Sequence, residues 1–265
     1  MARNTRVFAA IAALSLVVAA CGGSSDSSDT TTAGGGALEL VKAGALTVCS
    51  DAPYEPFEFQ AEDGTWTGFD MDVMRKIAES NELELEVTVQ PFDGIWLAPA
   101  AGKCDVVASA MTITEERTQA ADFTDSYFDA FQSLLVRKAD AETYTSLESL
   151  KGKTIAVQTG TTGESYAKAN ATESKIQSFD EASAMFLALE SNQVDAVLQD
   201  YLINKERADK QGTSAVSAKF EETPEQYGFA VEKGNSALLQ ILNKGIKDLR
   251  DSGEYDTIYN KYFIG

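Results

Sequence analysis

The sequence predicts an α/β protein built as two lobes, and three observations carry that reading. Short apolar runs alternate with segments of helical periodicity, the pattern of mostly parallel sheets covered by helices. The chain has 265 residues, 44% of them hydrophobic, enough for two cores of ordinary size. No long linker parts the halves. The chain is expected to leave the first lobe near Tyr127–Phe131 and to return near Gln226–Ala230. Lobe 1 is then residues 38–128 and 229–265, and lobe 2 residues 129–228.

The chain opens with Arg3 and Arg6, then an apolar run, Val7–Val18, too short to span a bilayer comfortably and suited to a signal peptide over residues 1–20. It ends "VAAC". Small residues before a cysteine resemble the lipobox of bacterial lipoproteins, which implies a lipid on Cys21 and anchorage at the extracytoplasmic face of the cell membrane. Residues 21–37, rich in Gly, Ser, Thr and Asp, cannot form a core and read as a flexible tether with a reach of roughly 20–24 Å.

The elements follow in order. Leu46–Ser50 is a strand. Phe69, Val73 and Ile77 lie at helical spacing behind an acidic start, Asp70 and Asp72. Leu83–Gln90 is a strand, Gly94 onward a short helix ended by Gly102, and Cys104–Ala110 a strand. Thr114 caps the next helix, and Gln132–Lys138 is a strand. In the second unit a short helix closes at Gly152, and Thr154–Gln158 is a strand feeding a glycine-rich turn and a helix. Asp180 is expected to cap the helix beginning "EASAMF". Val194–Asp200 and Gln226–Lys233 are strands; Leu238, Leu242, Ile246 and Leu249 share one face of a long helix, and a last helix ends the chain.

Composition excludes several functions. Lys+Arg total 22 against 41 Asp+Glu, a net charge of −19, so nucleic acid is not an expected partner. There is no histidine, which removes His-based triads and His metal sites; no metal or cofactor is expected. Asp51 and Ser109 should lie level on neighbouring strands. Counting back to Cys49 and Cys104 leaves three residues of offset, roughly 10 Å, so two buried thiols are expected rather than a disulfide.

Ligands of open α/β sheets sit beyond the C-terminal ends of the strands. Those ends are Asp51, Ser109–Ala110–Met111–Thr112, Gln158 to Thr162, and Asp200. In "SAMTITEER" a guanidinium, Arg117, stands in the first turn of a helix, where the dipole disfavours a cation by roughly 0.3–1 kcal/mol. That placement suits an incoming anion. An amino acid zwitterion would find a bidentate fork in Arg117, N–H donors in Gly160, Thr161 and Thr162, and a carboxylate for its ammonium in Asp200, with the Ser109 carbonyl and Thr112 hydroxyl beside it.

Six motifs, "SDAPYEPFEF", "GFDMDV", the run "FDGIWLAPAAGKCDVVASAMTITEERTQAADFTDSYF", "LKGKTIAVQTGTTGE", "VDAVLQD" and "SGEYDTIYNKYF", occur in the order and spacing of one family. They resemble the bacterial extracellular solute-binding proteins of family 3, the polar amino acid type that serves ABC importers. The resemblance implies a type II periplasmic-binding-protein-like fold with the ligand in the cleft between two α/β domains. It implies a monomeric, non-enzymatic binder that partners an ABC permease, and a polar ligand; Asp51 favours a basic amino acid or glutamine. It implies that Tyr54 and Phe92 wall the ligand side chain and that Asp51 and Gln158 meet its far end. One departure is Ile95-Trp96-Leu97-Ala98-Pro99 where the family usually has Leu-Ile-Pro-Ala-Leu. Trp96 reads as packing. The alternative is an enzyme of the same fold, a dehydratase of aromatic-acid precursors (cyclohexadienyl or arogenate dehydratase-like), with Asp51 as general acid.

Overall fold

The computed structural model describes residues 38–264; the expected signal peptide, Cys21 and the expected tether lie outside the described residues. Twelve strands and seven helices are described. The strands are β1 (Ala45–Ser50), β2 (Phe59–Gln60), β3 (Trp66–Thr67), β4 (Glu84–Val89), β5 (Val106–Val107), β6 (Ala121–Phe123), β7 (Phe128–Arg137), β8 (Thr154–Gln158), β9 (Lys175–Phe179), β10 (Ala196–Asp200), β11 (Ser214–Tyr227) and β12 (Ala230–Glu232). The helices are α1 (Phe69–Ser80), α2 (Glu115–Ala120), α3 (Thr162–Asn170), α4 (Ala182–Glu190), α5 (Tyr201–Gln211), α6 (Ser236–Ser252) and α7 (Glu254–Phe263).

Two five-stranded sheets make the two lobes. The first runs β4-β1-β5-β12-β6, the second β11-β7-β10-β8-β9. β1 pairs in parallel with β4 and β5, and β8 in parallel with β9 and β10, as crossover helices require. β7 and β11 are antiparallel and carry the chain between the sheets, with Phe128 opposite Tyr227. These two rings stack at 5.8 Å, and Phe57 sits edge-on to Phe128 at 4.9 Å, so the crossings are embedded in an aromatic cluster. The apolar face of α6, with Leu238, Leu242, Ile246 and Leu249, is buried as its spacing predicts.

Three expectations are corrected. The strand over Cys104–Ala110 shrinks to Val106–Val107, because the Asp105 carboxylate takes the N–H groups of Val41 and Thr47 and the Thr47 hydroxyl. The cap of α4 is Glu181, with no side-chain bond, rather than Asp180. The strand expected from Gln226 begins instead at Ser214 and ends at Tyr227, with β12 separate. Pro224 and the charges of "KFEETPEQY" hide it; the sheet tolerates them because β11 is an edge strand whose register slips between Phe220 and Pro224.

The cysteines are also corrected. Cys49 and Cys104 form a disulfide, with Cα atoms 5.7 Å apart. The register does set Cys49 against Val107, keeping Asp51 level with Ser109. The 10 Å offset fails because the residues before Val106 are not strand. The chain turns at Pro99–Lys103, closed by bonds from Gly102 N–H to Pro99 and from Lys103 N–H to Ala98, and folds back over the sheet. Both cysteines are buried with Phe92, Ile95, Ala98 and Ala230.

Candidate functional site

A small cavity lies between the sheets. Its lining brings together Asp51, Tyr54, Phe92, Ser109, Ala110, Thr112, Arg117, Gln158, Thr161, Thr162 and Asp200, eleven of the twelve residues expected from the sequence. Gly160 does not line it; its carbonyl accepts from Arg117 at 3.0 Å. Gly160 has φ +76° and lies so close to Asp93 that a Cβ would fall 2.7 Å from its Oδ1, so glycine is required there twice over.

Arg117 is held at five points. Thr114 caps α2 by accepting from the Arg117 N–H at 3.2 Å. The guanidinium donates to the carbonyls of Thr112 (2.7 Å) and Gly160 (3.0 Å), and packs 5.2 Å from the centre of the Phe92 ring and 5.1 Å from that of Trp96. It is only 4% exposed. Burial pulls its pKa down to about 10 against the opposing pull of Glu225 and Asp200. Trp96 thus packs on the cation and does not line the cavity.

Carboxylates occupy the rest. Asp51 at the end of β1 accepts from Gln158 at 2.5 Å, and burial pushes its pKa up to about 6. Asp200 at the end of β10 accepts from Tyr54 (2.9 Å) and Gln132 (2.6 Å); burial, then the charge of Glu225, raises its pKa to about 7. Glu58 is fully buried, accepts from the Ser109 hydroxyl at 3.1 Å, and is held well above the usual carboxylate range by burial and by Asp70. The glycine-rich turn differs from expectation in one respect. The Gly160 N–H donates to Glu164 at 3.0 Å, so the helix start offers its N–H groups from Thr162 and Gly163 instead.

Sequence reasoning missed Glu58, Gln132, Gly163 and Gln199 among the lining, and Glu225 behind it. Gln132 and Gln199 did leave a signal, an amide inside the apolar strand runs "QSLLV" and "VLQ", where a buried polar group needs a reason. Glu225 left none, since its strand was not recognised.

The arrangement suits a small dipolar solute, with one guanidinium for an anion and several carboxylates for cations. Comparison with known proteins agrees. The model of a family described as "Bacterial extracellular solute-binding proteins, family 3" matches residues 46–265. A probable histidine-binding protein of Neisseria gonorrhoeae is 35% identical over 224 residues, covering 82% of each chain. An ancestral arginine-binding protein solved with glutamine superposes with a TM-score of 0.79 at 39% identity, over 84% of this chain and 99% of that one. An ancestral amino acid-binding protein described as a precursor of cyclohexadienyl dehydratase has a TM-score of 0.78 at 37% identity, over 83% and 96% of the two chains.

Proposed function

Because this chain belongs to the bacterial extracellular solute-binding proteins of family 3, we propose that it captures a polar or basic L-amino acid and delivers it to the permease of an ABC importer. The observation that carries this reading is the polarity of the cavity: Arg117 faces it from α2, while Asp200 and Asp51 face it from the ends of strands in different sheets. In this reading Arg117 and the N-terminus of α3 take the α-carboxylate. Asp200, the Ser109 carbonyl and the Thr112 hydroxyl take the ammonium, Tyr54 and Phe92 wall the side chain, and Asp51 with Gln158 meets its end. Residues 38–128 with 229–265, and residues 129–228, would move as the two jaws, bending at the antiparallel crossings β7 and β11.

The protein acts as a monomer outside the cytoplasm, held to the membrane by a lipid on Cys21. Cys21→Ser should release it into the soluble fraction with ligand affinity unchanged; a variant still sedimenting with membranes in detergent-free buffer overturns the anchor. Thermal-shift screening of the twenty amino acids tests the function itself. A ligand at a hundred times its Kd stabilises by about 2.7 kcal/mol, and no shift with any of them overturns the proposal.

A second reading, a dehydratase of aromatic-acid precursors, is favoured by Asp51, whose pKa of about 6 would suit a general acid. Recovery of the ligand unchanged after prolonged incubation separates the two, since a binder returns what it took.

A further inference from the structure

Asp70, in the first turn of α1, is fully buried, yet it does not line the cavity. Its own N–H donates to the Phe57 carbonyl at 3.0 Å. Its Oδ2 accepts from the Ala110 N–H at 2.9 Å and from the Tyr127 hydroxyl at 2.7 Å. Ala110 does line the cavity. The peptide between Ser109 and Ala110 is trans, so its N–H and its C=O point in opposite directions. An N–H turned to Asp70, outside the cavity, turns the Ser109 carbonyl the other way.

A second, independent observation is the backbone of Ala110. Its φ is +41°, in the left-handed region that a residue with a Cβ rarely adopts. Among the described residues only Glu82 and Asn192 share a positive φ without being glycine, and both sit on exposed turns just after helices. Ala110 is buried at the site. Such strain persists only where the surroundings enforce it, and ligand clamps are where it collects. Asp70 is the enforcing contact, because it holds the Ala110 N–H. Released, Ala110 would relax out of φ +41°, and the Ser109 carbonyl would swing with the peptide plane. The Tyr127 hydroxyl on the same Oδ2 steadies the carboxylate, and the Tyr127 ring is itself stacked on Phe229 at 4.0 Å.

Resting on the amino-acid-binding reading above, we propose that Asp70 is a positioning residue: by holding the N–H of the Ser109–Ala110 peptide, it aims the Ser109 carbonyl at the α-ammonium of the ligand. It touches no part of the ligand and acts only through that peptide. The ligand's chemistry supplies the need. An ammonium brings three N–H donors and requires acceptors placed to meet them. A carbonyl free to rotate must be ordered at every binding event, and a peptide fixed beforehand avoids that loss.

The test is calorimetric titration with L-arginine, or with whichever of the twenty amino acids raises the melting temperature most, and with the same compound carrying hydrogen in place of its α-amino group. Asp70→Leu should weaken the amino acid at least about tenfold more than the deaminated compound. A smaller difference, the mark of a merely structural residue, overturns the proposal. Asp70→Asn keeps an oxygen for the Ala110 N–H and should bind the amino acid within about fivefold of wild type, although it too lacks the charge. A larger loss overturns the proposal, because the charge of Asp70 and not its hold on Ala110 would then be the cause. If Asp70→Leu does not fold, Asp70→Asn and hydrogen exchange in the wild type decide: an Ala110 N–H that exchanges as fast as an exposed amide overturns the proposal, and a protected one supports it. Wild type that binds an amino acid while these outcomes fail defeats only the role of Asp70, whereas wild type that binds none defeats the proposed function.

Discussion

Replacing Arg117 by methionine separates what the guanidinium does for the fold from what it does for a ligand. In the protein alone the guanidinium makes two charge-assisted bonds, to the carbonyls of Thr112 and Gly160. Together these are worth about 3–6 kcal/mol. Against that stands the cost of burying the cation. A pKa drawn down from 12.5 to about 10 corresponds to about 3 kcal/mol of lost solvation. The two nearly offset, leaving a net contribution of roughly 0–3 kcal/mol, and methionine keeps part of the packing against Phe92 and Trp96. The melting temperature of Arg117→Met without ligand should therefore fall by no more than about 10 °C. Amino acid binding should suffer far more, because a desolvated carboxylate loses its bidentate partner, a penalty on the order of 2–5 kcal/mol. Differential scanning calorimetry and titration calorimetry on the same preparation give both numbers. A variant that binds within about threefold of wild type would refute the reasoning, since about 0.7 kcal/mol is too little for a group meeting the ligand's charge.

Asp51→Asn should weaken a ligand with a cationic side chain about tenfold or more and glutamine less; equal losses in titration calorimetry would make Asp51 structural. Reducing the Cys49–Cys104 disulfide, which closes a separation of 55 residues, should destabilise by up to about 4 kcal/mol, read as a drop in denaturation midpoint under dithiothreitol. The pH dependence follows from Asp51 and Asp200, whose pKa values burial raises from 3.8 to about 6 and about 7. The folded state then holds more protons than the unfolded one between roughly pH 4 and 7, so the stability these groups contribute is full below that window and lost as pH rises through it. Without ligand the protein should be more stable at pH 5 than at pH 7.5, and Asp200→Asn should shrink that difference in unfolding free energy by up to about 2.5 kcal/mol; a pH-independent stability would contradict the burial of these charges.

The sequence by itself determined most of the local elements and eleven of the fifteen residues that line the cavity. Helical spacing marked α1 and α6, apolar runs marked β1, β8 and β10, and polar residues at the ends of those strands marked the cleft, because in an open α/β sheet strand ends and helix starts converge on one side. Thr114 as cap and Arg117 in the first turn were legible for the same reason: a helix start is a local event. What only the tertiary structure decided depends on contacts between residues far apart in the chain. The disulfide came from a turn that no periodicity announces, and strand geometry carried past Val106 gave the wrong distance. β11 was hidden because edge pairing to β7, rather than its own composition, makes it a strand, and Glu225 was hidden with it. The surroundings of Arg117, two carbonyls, two aromatic rings and two carboxylates from both lobes, set its protonation and its net worth to the fold. Electrostatics inside a protein depends on which groups are brought together and how far water is excluded, and the order of residues along the chain specifies neither until the chain has folded.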